Sequence, residues 1–243
     1  MTIFESIVMF VAVLSAGLLF FGFRKSNTSY LKLSLAFTGA YLFAISMVHL
    51  IPGVFSSDKE HIGYYILAGF FLQLILEYFS EGIEHGHIHV HHHHHNHQST
   101  FPFAMMTGLC IHSFLEGMPL SGHFGEHHHG HNHSLMTGIL LHHLPVAFAL
   151  VSMLTQSGLS KKWTIINLAV FAAMAPAGAA FSSLLSVTEV LNISNYFNQI
   201  MAVVIGIFLH ISTTILFESG ADHRFNLYKL LVIIFGAGLA IFT

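Results

Sequence analysis

The strongest constraint on this chain is a series of apolar runs, each near the length of about 20 residues that a helix needs to cross a bilayer. Apolar residues make up 54% of the chain and charged residues 8%. Soluble domains carry roughly 25% charged residues, so this chain lacks the charge to cover an apolar core in water. It can place its apolar surface in lipid instead. Lipid offers no partner to backbone N–H and C=O groups, which leaves helices or a closed barrel. The runs are continuous rather than alternating, and that pattern selects helices.

Eight spans are expected, at 3–23, 31–52, 62–83, 102–122, 134–156, 163–187, 196–217 and 228–243. They make one all-α polytopic membrane unit over 1–243. The first run has no basic stretch before it and no small-residue cleavage site after it, so it reads as a spanning helix rather than a removed signal. Basic residues favour the cytoplasmic side of short loops. With eight spans, Arg24, Lys25, Lys32, Lys161, Lys162, Arg224 and Lys229 fall on one side, and Lys59 alone falls opposite. Both termini then face outside.

A formal net charge of −3 gives no surface for nucleic acid. The single cysteine, Cys110, excludes an internal disulfide framework and a cysteine-built zinc site. Histidine is the unusual residue, 22 copies against 8 lysines and arginines. Many lie in two connections, a cytoplasmic one at 84–100 and an external one at 123–133. Neutral imidazole is a common metal ligand, and the run at 91–95 lies between two spans, where a terminal tag would not. Metal capture or sensing is the expected role of both segments.

Ionisable side chains within spans cost about 2.5–3.5 kcal/mol on insertion scales and call for a reason. They are His49, Glu77, His112, Glu116, His142, His143, His210 and Glu218. His112 and Glu116 are four apart, on one helix face, with Cβ atoms about 5–6 Å apart. An imidazole nitrogen and a carboxylate oxygen there can meet one cation at about 2.0–2.2 Å. Pro119 follows and frees the carbonyl of Leu115, which suits a cavity wall. The fifth span repeats the pattern as His142-His143-Leu144-Pro145, its two histidines about 100° apart around the helix.

These residues resemble the ZIP (Zrt-, Irt-like) family of metal transporters. His112-Ser113-Phe114-Leu115-Glu116-Gly117 is similar to that family's fourth-span His-Asn/Asp/Ser-x-x-Glu-Gly motif, and His142-His143-Leu144-Pro145 to its fifth-span motif. His49-Leu50-Ile51-Pro52, the stretch 69–77, Ala175-Pro176-Ala177-Gly178 and Gly206-Ile207-Phe208-Leu209-His210 resemble further family patterns, in order along the chain. The resemblance implies inverted repeats of three helices around a central pair, helices four and five, in a 3+2+3 arrangement. It also implies ion transport into the cytoplasm between that pair, with an elevator-like movement of one helix group. Where the family often has carboxylates, this chain has Val146 and Ala175. The expectation is therefore one principal site of His112, Glu116 and His142, helped by Ser113 and His143. His49, Glu77 and His210 are candidate way-stations. Glu81, His85, His87 and His89 form an exit ladder, and His127 and His129 lie in the external capture segment.

Such a donor set suits Zn²⁺ and also accepts Fe²⁺, Mn²⁺ or Cd²⁺. The metal is cargo, and no cofactor and no enzymatic activity are expected. Two other classes use the same residues: an intramembrane zinc hydrolase, which lacks a His-Glu-x-x-His motif here, and a b-type haem protein with axial ligands among His49, His112, His142 and His210. The expected partners are the ion and membrane lipid, in a multi-pass cell membrane (the inner or plasma membrane of a bacterium). Small-residue runs at 177–180 and 236–238 permit close packing within the chain or between two copies, so a homodimer is compatible with them.

Overall fold

Thr2 opens the first helix. Its backbone N–H donates to Glu5 Oε2 at 2.6 Å, and Glu5 N–H donates to Thr2 Oγ1 at 3.2 Å, a reciprocal cap that satisfies two otherwise orphaned donors. From there the computed structural model is helical throughout, with no strand among the described residues 1–22, 28–57, 61–80, 103–121, 129–187, 196–218 and 227–242.

The helices are α1 (Ile3–Leu19), α2 (Thr28–Ile45), α3 (Ile62–Ser80), α4 (Phe103–Gly117), α5 (His129–Gln156), α6 (Lys161–Val187), α7 (Phe197–Glu218) and α8 (Leu227–Phe242). Six spans among the described residues are long and apolar enough to cross a membrane: Ile3–Gly22, Ser29–Phe55, Ile62–Phe79, His133–Gln156, Lys161–Ser186 and Phe197–Phe217. Two expected spans are shorter. α4 has 15 residues before a tight turn at Met118–Leu120, and α8 has 16. At about 1.5 Å per residue, each falls short of a hydrocarbon core of about 30 Å.

Prolines act differently in each helix. Pro52 cannot donate to the carbonyl of Val48, and the turn before it widens into a π-turn at Ser46–Leu50, closed by Ile51 N–H on Ser46 C=O. The chain then continues as helix over Ile51–Ser57. Pro119 lies in the tight turn that ends α4. Pro145 and Pro176 are carried inside α5 and α6, which remain continuous. α5 begins at His129, so the second histidine-rich segment is helical from there on. That differs from a loop over 123–133. No proline interrupts residues 129–144, and the α5 ladder extends backward through them.

The helices fall into two groups. In one, α4 packs on α6, α1 on both α5 and α6, and α5 on α6; in the other, α3 packs on α7 and α2 on α7 and α8. Between groups, contact runs along α2–α5 and α3–α4, and where α7 meets the turn after α4. Glycines set the closest seams inside the groups. A Cβ on Gly206 would strike the carbonyl oxygen of Ile66, and one on Gly69 that of Val203. Gly178 and Gly117 stand in the same reciprocal relation to the carbonyls of Phe114 and Ala175. Small residues let backbones approach in this way where lipid supplies no hydrophobic drive.

The exterior is apolar, unlike a soluble protein's, and several ionisable groups lie inside. Phe4, Tyr78 and Phe242 are 74%, 83% and 90% exposed, while Gln73, His112, Glu116 and His142 are fully buried. Large exposed apolar side chains around an apolar core that also holds ionisable groups are the pattern of a chain solvated by lipid.

Candidate metal centre

α4 and α5 build the centre. The helical repeat of α4 turns Met105, Leu109, His112 and Glu116 inward, and all four are buried. His112 Nε2 lies 3.3 Å from Glu116 Oε1 on the same helix face, as the spacing of four requires. α5 brings His143 across, with Nε2 at 2.9 Å from Glu116 Oε2. One carboxyl group thus faces an imidazole from each helix.

Ligand atoms of His112, Glu116 and His143 all lie within 4.8 Å of one another. A tetrahedral ion with ligands at about 2.0–2.1 Å requires them roughly 3.3–3.4 Å apart, so shifts of an ångström or so suffice to gather all three on one cation. His142 stands beside this set. Its ring centroid is 6.1 Å from that of His112 and 6.1 Å from that of His143, and His112 and His143 are 6.4 Å apart. The three rings form a nearly equilateral triangle. Neither ring nitrogen of His142 makes a hydrogen bond among the described residues, though both are buried. A buried polar group left so costs about 1–3 kcal/mol, and a cation or a turned ring would relieve it.

The geometry therefore orders the two α5 histidines differently from the sequence expectation, with His143 on the carboxylate and His142 at its side. The angle of about 100° between consecutive helical residues allows only one of them to face Glu116 squarely. Ser113 is buried next to His112, and its hydroxyl makes no hydrogen bond among the described residues. Val146 is buried in an apolar cluster with Phe171 and Ala172, and the His143 ring meets the edge of Phe171 at 5.4 Å. The centre has apolar walls on that side.

Gln73, on α3, was not among the residues singled out from sequence. Its Oε1 lies 3.1 Å from Nδ1 of His112, and both side chains are buried. The signal available was an amide in an otherwise apolar span, four residues before Glu77.

A second polar pair joins α3 to α7. His210 Nε2 is 3.4 Å from Glu77 Oε2, with the ring edge-on to Phe70 at 4.8 Å between centroids. His49 is placed elsewhere. Its Nε2–H donates to the carbonyl of Ala240 on α8 at 3.1 Å, and it is not part of the ligand cluster. The backbone of His129 opens α5. Glu81, His85, His87, His89 and His127 lie outside the described residues, as does the segment 84–100.

A family model described as ZIP Zinc transporter matches residues 84–243, well over half of the chain. The match holds α4 to α8, and with them every member of the cluster on Glu116.

Proposed function

The chain belongs to the ZIP zinc transporter family, membrane proteins that carry divalent metal ions, and from that premise we propose that it moves zinc into the cytoplasm through the centre on α4 and α5. The observation that carries this reading is the convergence of His112, Glu116 and His143 from two helices, fully buried, within coordinating reach of one ion. His142 and Ser113 complete the shell as the ion sheds water. Fe²⁺, Mn²⁺ and Cd²⁺ fit the same donors.

An incoming ion is drawn by the external segment that includes His127 and His129. It enters between α4 and α5 and exchanges waters for side chains in steps. The nitrogens that take the ion are the ones that face Glu116, so loading sets the ion between imidazole and carboxylate. Such a set binds firmly enough to strip water and loosely enough to release. Glu77 and His210 are the next station, followed by Glu81, His85, His87 and His89.

The proposed architecture is eight spans in an inverted 3+2+3 repeat, both termini external. Neighbour relations support it. If α1, α2, α3, α4 exchange with α6, α7, α8, α5, then α3 on α7 becomes α8 on α2, and α4 on α6 becomes α5 on α1; all four packings occur. The division into two helix groups, which meet mainly along α2–α5 and α3–α4, supports movement of one group past the other. His49 joins the π-turn after α2 to α8, away from the cluster on Glu116.

The experiment is zinc uptake by proteoliposomes across a panel of divalent ions, with Glu116→Ala and His112→Ala beside the parent. Both variants should lose at least about tenfold in uptake. Parent-like transport by both would show that the centre lies elsewhere.

A further inference from the structure

We propose that Gln73 is a positioning residue whose contact with His112 sets which imidazole nitrogen can take the ion, and that this setting depends on how the two helix groups stand to each other. The inference rests on the reading of the α4–α5 centre given above.

An imidazole that binds metal through one nitrogen must present a lone pair there, and the hydrogen bond made by the other nitrogen decides whether it does. On His112 the two nitrogens face different partners. Nε2 faces Glu116 at 3.3 Å. Nδ1 faces Gln73 Oε1 at 3.1 Å. A carbonyl oxygen only accepts, so Nδ1 carries the hydrogen and Nε2 offers its lone pair to the place where Glu116 and His143 converge. In the other tautomer Nε2–H would donate to Glu116, and His112 would be closed to the ion.

Gln73 has a further property that separates it from the ligands. It is on α3, and His112 is on α4. These helices belong to different groups, and α3–α4 is one of the two main helix pairs along which the groups touch. By contrast, Glu77 and His210 both belong to the group that holds α3 and α7. A displacement of the groups leaves the Glu77–His210 pair intact and breaks the Gln73–His112 bond. The ion-binding tautomer is thereby held while the groups stand as they do here, and it is released when they slide. Release of the ion toward Glu77 and the loss of its best acceptor on His112 become one event.

The test is steady-state zinc uptake in proteoliposomes, scaled to correctly inserted protein, for Gln73→Leu, Gln73→Glu and Glu116→Ala. Gln73→Leu removes the acceptor, and its KM should rise at least about tenfold, the lower end of what outer-shell partners of metal ligands contribute. Gln73→Glu keeps an acceptor and strengthens it with charge. Its KM should stay within about threefold of the parent or fall, while its maximal rate drops because the groups part less readily. A residue that only fills space would not separate KM from rate in this way. If Gln73→Leu fails to insert, Gln73→Met serves in its place, and Gln73→Glu remains decisive alone, since a raised KM there overturns the proposal. Parent-like KM in Gln73→Leu with uptake lost in Glu116→Ala would refute the role of Gln73 and leave the centre standing. Parent-like uptake in Glu116→Ala would remove the centre and this inference with it.

Discussion

Glu116 faces one imidazole from each of α4 and α5, His112 and His143. The difference between its α5 partners is measurable. His143→Ala should depress zinc uptake by about tenfold or more, and His142→Ala by less, with outer ligands and supporting partners falling in the range of about 10–100-fold on affinity. Equal losses would place both histidines on the ion in the transport cycle. Acid should slow uptake at fixed zinc, because protons compete with the metal for its ligands. Uptake measured from neutral to mildly acidic pH should fall steadily, and added zinc should restore it. His112 and Glu116 were legible in the sequence because a spacing of four fixes their common face. The choice between His142 and His143 was not, since it depends on the rotation of α5 against α4, which no local pattern encodes. Gln73 escaped notice for a different reason. An uncharged amide is cheap enough in an apolar span that only its three-dimensional neighbour reveals its use.

Among the elements, glycine contacts decide how closely helices sit. Gly178→Val and Gly206→Val should each destabilise the purified protein by at least about 2 kcal/mol, since a side chain there meets backbone, which cannot turn aside as a rotamer can. Gly238→Ala meets nothing within 4 Å and should be neutral or gain up to about 1 kcal/mol from helix propensity. Thermal unfolding in detergent separates the two outcomes. Helix positions were readable from apolar length, but the π-turn before Pro52 and the end of α4 at Gly117, short of the expected 122, were not. The start of α5 was not readable. Polar histidines continue its helix at 129–133 because backbone hydrogen bonding, unlike a hydropathy pattern, does not end where the apolar residues do.

For the whole molecule, the expected orientation puts residues 59 and 161 on opposite faces of the membrane. In a Cys110→Ser background, Lys59→Cys and Lys161→Cys should label with an impermeant thiol reagent from opposite sides. Labelling of both from one side would revise the number of spans between them. Removal of residues 88–97 should leave uptake within about twofold of the parent, because the ligands lie elsewhere, whereas outer contributions to metal affinity run to about tenfold or more. The all-helical class and the membrane setting followed from composition, and six long spans agree with them. The grouping of helices did not follow, because contacts between distant segments leave no periodic trace in the chain.

At Gly117, one residue beyond Glu116, α4 passes into the tight helical turn Met118–Leu120. The aligned peptide dipoles end there, about one turn past the carboxylate, with a partial negative charge of about half an electron at that terminus. The field of the backbone and the charge of the side chain favour the same occupant. A doubly charged ion gains twice what sodium or potassium gains from such a field, so an ion site at Glu116 would disfavour abundant monovalent ions before any ligand is exchanged.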